Sequence, residues 1–225
     1  MRIRLAYKQC GPARYLGHLD VMRAFERAFR RAGLPLVYSR GFNPRPRMVF
    51  AAPLPLGFCG GQEYVDVELA DTVDLEQLQE ALNRTLPAGL EVFKARKVPD
   101  VTPALMSILN SARYTACGEL FGEAQPERVR DAVAALMARG EVYVERETDK
   151  GLKKRDIRLG IRSLQVSVKD RSFMLIMELA AGSGGTVRPD EVLIALSELT
   201  GTPLEAVDVW RTALLSREGK VLWEC

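Results

Sequence analysis

The order of hydrophobic patterns in the first hundred residues strongly limits the folds open to this chain. Alternating apolar and charged residues predict a strand over residues 1–9, and apolar residues three or four apart predict a helix over 19–32. The segments predicted to follow are extended stretches at 36–40, 47–52 and 64–69, a helix capped by Asp74, and a strand at 90–98. This β-α-β-β-α-β order is typical of the ferredoxin-like fold.

The same order returns after residue 112. The predicted elements are strands at 113–120, 142–144, 164–168 and 173–179, with helices opened by Pro126 and Pro189. Residues 207–223 are ambiguous between helix and strand. We therefore expect an α+β protein of two tandem ferredoxin-like domains: a basic N-terminal domain at 1–98, a linker at 99–112 and a C-terminal domain at 113–225.

Positive charge is concentrated at the start of the chain. The formal net charge of the whole chain is only +3, but residues 1–50 hold eleven Lys and Arg against two acidic residues, a net charge of +9. The remainder is therefore at −6. This asymmetry indicates an anionic partner for the N-terminal part, or strong attraction between the two parts of the protein.

The first predicted helix has a basic stripe opposite its apolar face. A helical wheel places Leu19, Met22, Phe25 and Phe29 on the buried side and Arg23, Arg27, Arg30 and Arg31 on the other. Like charges four residues apart weaken a helix, so a compensating partner is expected. Two alternatives stay open. Carboxylates of this protein could neutralise the stripe, either Glu63, Asp66 and Glu68 or acids of the second domain, or the stripe could bind phosphates.

The segment from Arg40 to Arg47 favours phosphate binding. It combines arginines with an aromatic ring and turn residues; the candidates are Arg40, Phe42, Asn43, Arg45 and Arg47. Guanidinium groups match phosphate geometry, and an exposed phenylalanine could stack on a base. We expect RNA, or another phosphate-bearing ligand, to bind here.

His18, the one histidine of the chain, is placed just before the helix, two residues from Asp20. The helix dipole disfavours a cation at this end, which suits a neutral imidazole. His18 could hydrogen-bond the start of the helix, contact a ligand, or act with Asp20 as a general acid or base. We assign no catalytic residue from the sequence; these two are candidates only.

A second basic cluster lies in the C-terminal half. Lys153, Lys154, Arg155 and Arg158 stand on a predicted strand and the turn leading into it. They are either a second anion-binding patch or an exposed hairpin.

The cysteines and the ends of the chain make several sites improbable. Cys10, Cys59, Cys117 and Cys225 have no CxxC spacing, so buried or incidental thiols are expected, with no metal site and no cofactor. No apolar run approaches the roughly 20 residues of a membrane span, and the N-terminus lacks the apolar core of a signal peptide. We expect a cytoplasmic protein without a membrane partner.

The stretch GPARYLGHLDVMRAFERAFRRAGLPLVYSRGFNPRPRMVFAAPLPLG resembles the signature of the bacterial radical-SAM-linked proteins, a family of unknown function. DKGLKKRDIRLGIRSLQV and TVRPDEVLIALSEL resemble its two later motifs. Members are similar to a region fused to, or encoded beside, B12-type radical SAM proteins, near genes for an RNase E/G-type nuclease and ribosomal proteins. The resemblance implies a radical SAM partner and an RNA or ribosome context. The positions that match the first motif are Arg14, His18, Asp20, Arg23, Ser39, Gly41, Phe42, Asn43 and Pro44, followed by Glu63 and Asp66.

Three functional hypotheses follow. The first is an accessory protein that binds RNA and acts with a radical SAM partner; the chain lacks the CxxxCxxC of that enzyme class and is not expected to be one itself. The second is an RNA-processing or RNA-modifying enzyme that uses His18. The third is a protein-docking module without nucleic acid, whose arginines meet an acidic surface.

Overall fold

The computed structural model describes residues 1–120, 126–148 and 151–225. Two compact units result: the first comprises residues 1–109 and 211–225, and the second comprises residues 110–210. The domain limits expected from the sequence stay a prediction. Residues 149 and 150, which open the second motif, lie outside the described residues.

The described residues contain five α-helices and ten β-strands, so the fold is mixed α+β. Up to residue 109 they are β1 (Arg2–Gln9), α1 (His18–Arg31), β2 (Met48–Phe50), β3 (Cys59–Glu68), α2 (Leu75–Thr85), β4 (Leu90–Lys97) and α3 (Leu105–Ile108). The later elements are β5 (Leu109–Leu120), α4 (Pro126–Ala138), β6 (Tyr143–Thr148), β7 (Gly151–Asp156), β8 (Ile161–Lys169), β9 (Ser172–Ala180), α5 (Pro189–Thr200) and β10 (Leu204–Ser216). None of the helices in these described parts is long and apolar enough to span a membrane.

The sheet of the first unit has β1 and β3 at its centre. Strand β1 pairs antiparallel with β3 and β4, and β2 pairs antiparallel with β3, so the order is β4-β1-β3-β2. Leu5, for example, lies opposite Val65 of β3 and Ala95 of β4. The period of two along these strands places Leu5 and Val65 on the same buried face.

Helices α1 and α2 pack on that face. Helix α1 begins after Gly17, and Gly33, with φ of 68°, follows its end. Phe25 is completely buried and meets the ring of Tyr7 edge to face, with the ring centroids 4.9 Å apart. The predicted cap of α2 is confirmed, because the Asp74 carboxylate accepts a hydrogen bond of 2.9 Å from the backbone N–H of Gln77.

The opposite face of the same sheet is also buried, and it is polar. Arg4, fully enclosed, donates through Nε to Asp66 at 2.8 Å and through Nη1 to the carbonyl of Leu222 at 2.6 Å. Trp223 stacks on Tyr64 with 6.4 Å between ring centroids. Residues 222–225 therefore lie against this face of the first unit.

The second unit is built around β5, β9 and β8. Strand β9 pairs antiparallel with both β5 and β8, and β10 is the other neighbour of β5, so the order is β10-β5-β9-β8. Strands β6 and β7 form a separate antiparallel hairpin. Of the stretch that was ambiguous in the sequence, residues 207–216 are extended as part of β10.

Candidate functional site

The basic stripe lies on the exposed side of α1. Val21, Phe25, Ala28 and Phe29 form the buried side of this helix, whereas Arg23, Arg27, Arg30 and Arg31 are exposed. The prediction for Leu19 was wrong, because its side chain in the first turn is 62% exposed. Hydrophobic periodicity therefore placed the four arginines correctly, although it misjudged one residue of the apolar face.

The stripe arginines differ in their contacts. Arg23 forms an exposed ion pair of 3.4 Å with Asp20, and Arg31 makes a long hydrogen bond of 3.5 Å to the carbonyl of Thr85. Neither Arg27 nor Arg30 has a hydrogen bond or ion pair with any residue that the structure describes. Two guanidinium groups on adjacent turns are thus open to an anionic ligand.

The carboxylates considered as partners of the stripe are used elsewhere in the first unit. Glu63 is buried and pairs with Arg211 at 2.6 Å. Asp66 is buried beside Arg4. Glu68 is paired at 3.0 Å with Arg47. None of these three acids neutralises the stripe.

Residues 37–47, which we name the arginine hairpin, form an exposed loop held by hydrogen bonds. Tyr38 and Pro46 form an isolated antiparallel bridge. Above it the N–H of Ser39 donates to the carbonyl of Arg45 at 2.8 Å, and the N–H of Arg45 donates to the Ser39 hydroxyl at 3.0 Å. Gly41 has φ of 134°, a conformation that favours glycine and allows the tight tip.

The tip of the arginine hairpin presents several of the predicted ligand contacts together. Arg40, Phe42, Asn43 and Arg45 are all exposed, and the ring of Phe42 has no shielding from solvent at all, with a relative exposure of 106%. Arg47 lies lower, at the base, in its ion pair with Glu68. The tip therefore offers two arginines flanking an aromatic ring.

His18 is the first residue of α1, rather than a residue before it. Its ring meets the ring of Phe50 edge to face at 5.5 Å, and it makes no hydrogen bond with the described residues, including the start of the helix. Burial, and secondarily the nearby Arg211 guanidinium, lowers the pKa of His18 below its usual value. A neutral imidazole near pH 7 results. Asp20 is exposed and paired with Arg23, so the two candidate acid–base residues do not act on each other.

Arg14, four residues before His18 in the sequence, is held by contacts with the backbone of Gly57. It lies in a short 3-10 helix over Gly11–Tyr15, and its Nε donates to the carbonyl of Gly57 at 2.6 Å. The N–H of Gly57 donates back to the carbonyl of Arg14 at 2.8 Å. The neighbouring Tyr15 ring is 70% exposed, 5.9 Å from the guanidinium of Arg14. Sequence reasoning missed this exposed aromatic, whose only signal is its place in the first motif.

The buried pair of Glu63 and Arg211 was also missed. Arg211 Nε and Nη2 donate to the two Glu63 oxygens at 2.8 and 2.6 Å, and Nη1 and Nη2 donate to the carbonyls of Pro53 and Ala52. Burial, then Glu63, raises the pKa of the nearby Tyr7 hydroxyl. The pair fastens the loop after β2, and it is closed to ligands because both side chains are at most 3% exposed.

The predicted basic cluster of the second unit is divided by the structure. Lys153 and Lys154 are exposed on β7, and Lys154 lies over the ring of Tyr143 at 5.0 Å. Arg155 is 4.0 Å from the buried Glu191. Arg158 donates to the carbonyls of Met137, Arg139 and Ile161, which secures the end of α4. Arg158 is thus occupied by the protein itself, while the two lysines remain accessible.

Two of the four cysteines are bonded, contrary to the expectation of thiols. Cys10 and Cys59 form a disulfide with 4.6 Å between their Cα atoms, and Cys117 and Cys225 are free. The strand order brings together residues 49 apart in sequence, a proximity that cysteine spacing does not reveal. Within the described ranges, no group of three or more His, Cys, Asp and Glu side chains is placed to hold a metal ion.

Comparisons with known proteins identify a family and a shared fold. The family described as "Uncharacterized protein conserved in bacteria (DUF2344)" matches residues 2–189. No curated protein matches the chain. A chain in the crystal structure of a Cbf5-Nop10-Gar1 complex is similar, with a TM-score of 0.56 and 10% identity over 93% of this chain and 48% of that one. A chain in the crystal structure of the archaeal box H/ACA sRNP Nop10-Cbf5 complex is also similar, with a TM-score of 0.51 and 11% identity over 93% of this chain and 47% of that one. This protein spans about half the length of each, and at such identity the likeness concerns the fold alone.

Proposed function

Since the chain belongs to the DUF2344 family of uncharacterized bacterial proteins, we propose a function from its residues: an accessory protein that binds RNA, or another phosphate-bearing ligand, through the arginines of its first unit. The binding residues are the stripe on α1, the tip of the arginine hairpin and Arg14. The radical SAM partner belongs to this proposal and rests on the motif resemblance alone. Copurification of such a protein with the full chain tests it.

One observation carries the proposal. Arg27 and Arg30 stand exposed on adjacent turns of α1, without a partner among the described residues, although Glu63, Asp66 and Glu68 lie in the same unit. Leaving two like charges unpaired on one helix face disfavours the helix slightly, by a few tenths of a kcal/mol. A polyanion would reverse that effect, because each arginine would meet a phosphate and release a counterion.

The arginine hairpin adds the features that suit RNA rather than a simple anion. The ring of Phe42 is not stabilised by packing against the protein, since it is fully exposed to solvent. A base stacked on it would be flanked by Arg40 and Arg45, whose guanidinium groups could take the adjoining phosphates. Bases with free faces occur in single-stranded and looped RNA.

The architecture is compatible with this proposal. The strand orders β4-β1-β3-β2 and β10-β5-β9-β8 support two ferredoxin-like units, with the β6–β7 hairpin inserted in the second. The similar solved structures come from a Cbf5-Nop10-Gar1 complex and a box H/ACA sRNP, so an RNA-related ligand agrees with the fold they share.

A catalytic role for His18 is the second candidate, and the lowered pKa of its imidazole favours it. A neutral imidazole can accept a proton from an RNA hydroxyl near pH 7. RNA turnover by the purified chain that disappears in His18→Ala would establish it, and undiminished turnover in that variant would remove His18 from the mechanism.

Binding to a single-stranded oligoribonucleotide across a salt series tests the main proposal. We expect affinity that falls steeply with salt, and a double variant Arg27→Glu, Arg30→Glu that binds more weakly, with a salt slope smaller by about 1.4, since each single-strand phosphate contact contributes about 0.7. The matched control is Arg128→Glu, Arg217→Glu, which makes the same change of charge at exposed arginines elsewhere. An equal loss of RNA affinity in both double variants would show that net charge, and not the position of the arginines, causes the effect. No binding at low salt would sink the proposal and favour a protein-docking role for the stripe.

A further inference from the structure

A cleft of about 580 Å³ lies in the first unit at the base of the arginine hairpin. Val37 and Arg47, the first and last residues of the hairpin, form part of its wall, and the N–H of Arg47 donates to the carbonyl of Val37 at 2.8 Å. Small-molecule sites in proteins have volumes of roughly 300–1,000 Å³. The cleft is therefore large enough for a nucleobase.

Part of the wall of the cleft is apolar. Val37, Val49 and Leu69 line it, and Val49 is 40% exposed although it lies on β2. Val49 stands opposite Asp66 in the pairing of β2 with β3, so the two side chains lie on the same face of the sheet. A flat ring bound in the cleft would cover apolar surface that is otherwise in contact with water, which favours binding.

The carboxylates of the cleft differ in their contacts. Asp66 is almost fully buried in ion pairs with two arginines, and Glu68 pairs with Nη1 of the half-exposed Arg47. Asp100 also lines the cleft, but its exposed carboxylate has no hydrogen bond or ion pair within the described parts of the chain. The cleft therefore offers a ligand two acceptor oxygens from Asp100 and the remaining N–H donors of Arg47.

The polar groups of guanine match this set of donors and acceptors. Its N1–H and N2–H groups lie side by side and can donate to the two oxygens of one carboxylate, while O6 and N7 can accept from a guanidinium. Adenine, cytosine and uracil have no two adjacent groups that both donate. A phosphate is disfavoured in the cleft, because Asp66, Glu68 and Asp100 all line it and like charges repel. The cleft thus suits a base, whereas the tip of the arginine hairpin suits phosphates.

We propose that this cleft binds a guanine base and that Asp100 is the residue that selects it. A guanine of bound RNA and a free guanine nucleotide present the same base, so both are possible sources. The RNA source rests on the proposed function: phosphates contact the arginine hairpin, and a neighbouring guanine enters the cleft at its base. The arginines then supply affinity that is independent of sequence, and Asp100 supplies the base preference.

The experiment compares guanine with hypoxanthine, which lacks only the N2 amino group. The full chain is titrated with an oligouridylate that carries one guanosine, with the same oligomer carrying one inosine, and separately with GMP and IMP. Loss of one hydrogen bond to a carboxylate should weaken binding by about 10-fold. In Asp100→Asn the two affinities should become nearly equal, because an amide has a single acceptor oxygen. The control Asp131→Asn, at an exposed carboxylate of α4, should keep the preference.

Failure of the guanine site can be told from failure of RNA binding. If the oligomers bind equally well and GMP binds no better than IMP, the guanine site is overturned while RNA binding stands. A preference for guanosine that persists in Asp100→Asn would overturn the role of Asp100. If neither oligomer binds at low salt, the proposed function fails, and the nucleotides decide the site alone: a preference for GMP that is lost in Asp100→Asn supports it, and equal or absent binding refutes it.

Discussion

Replacing Arg211 by methionine tests how the first unit holds its buried charges. The substitution keeps a long apolar stem but removes the guanidinium that lies 2.6 Å from a Glu63 oxygen. Both side chains are almost fully buried, at 3% and 1% exposure, so water cannot replace the lost donors without opening the unit. The carbonyls of Ala52 and Pro53 lose their donors as well.

The expected loss of stability is large. Removing one partner of a buried ion pair leaves an uncompensated charge and costs about 3–5 kcal/mol. With a urea m-value of about 2 kcal/mol per molar, a loss of about 4 kcal/mol lowers the unfolding midpoint by about 2 M. The exposed Arg217→Met is the matched control, for which a change within about 0.5 kcal/mol is expected.

A double variant separates the stranded charge from lost packing. Arg211→Met combined with Glu63→Met removes the buried carboxylate too, so it should regain about 2 kcal/mol relative to Arg211→Met alone. Urea unfolding followed by circular dichroism gives the free energy of unfolding of the unsubstituted protein, the two single variants and the double variant. A loss below about 1 kcal/mol in the single variant, or a double variant no more stable than the single, would refute the reasoning.

Further predictions concern three single positions. The histidine resonance of His18 should titrate in NMR with a pKa below its ordinary value of about 6.5, because burial disfavours its charged form; a pKa at or above that value would contradict the burial. The folded-state pKa of His18 lies below the unfolded one, so its stabilising contribution is present above the unfolded pKa and is lost as pH falls through the folded pKa. The fall in stability between about pH 7 and about pH 5.5 should therefore shrink in His18→Gln. Arg158→Ala should lower the free energy of unfolding by about 2 kcal/mol, because carbonyls at the end of α4 lose a charged donor. The control Lys153→Ala, at an exposed position, should change it by less than about 0.5 kcal/mol. Equal effects of the two substitutions in urea titrations would contradict the role of Arg158 at the helix end. Gly89→Ala should lower the free energy of unfolding by about 2 kcal/mol or more in the same assay, because Gly89 has φ of 90° and an added Cβ would come within 2.1 Å of a backbone oxygen. Gly140→Ala is the control, since a Cβ there has no neighbour within 4 Å. Unchanged stability in Gly89→Ala would contradict this reasoning.

Local patterns predicted what depends on local sequence. The helix expected at 19–32 is His18–Arg31, and its four arginines face solvent as the wheel indicated. The cap at Asp74 is confirmed for the same reason, because the capping hydrogen bond spans only three residues. Leu19 was misjudged because His18 and Val21 form the inward side of the first turn: the His18 ring contacts Phe50 and Val21 is buried, whereas Leu19 is exposed.

Contacts between residues far apart in the sequence of the first unit could not be predicted from local patterns. Glu63 and Asp66 were candidate partners of the basic stripe, yet both are buried in ion pairs with other arginines. The guanidinium that neutralises Glu63 comes from Arg211, 148 residues later, and Arg4 reaches Asp66 from 62 residues earlier. No periodicity within one strand identifies such partners, and the same holds for the disulfide between Cys10 and Cys59.

The closing of the first unit by residues 211–225 affects its synthesis on the ribosome. Arg4 emerges well before Leu222, whose carbonyl receives the Arg4 Nη1 hydrogen bond and lies 218 residues later. At about 5–20 residues per second, translation of that interval takes roughly 10–45 seconds. During this time one face of the nascent sheet, with its buried arginine, has no cover, while all of residues 110–210 are made and can fold. Of the two units, the one whose synthesis begins earlier is thus completed later.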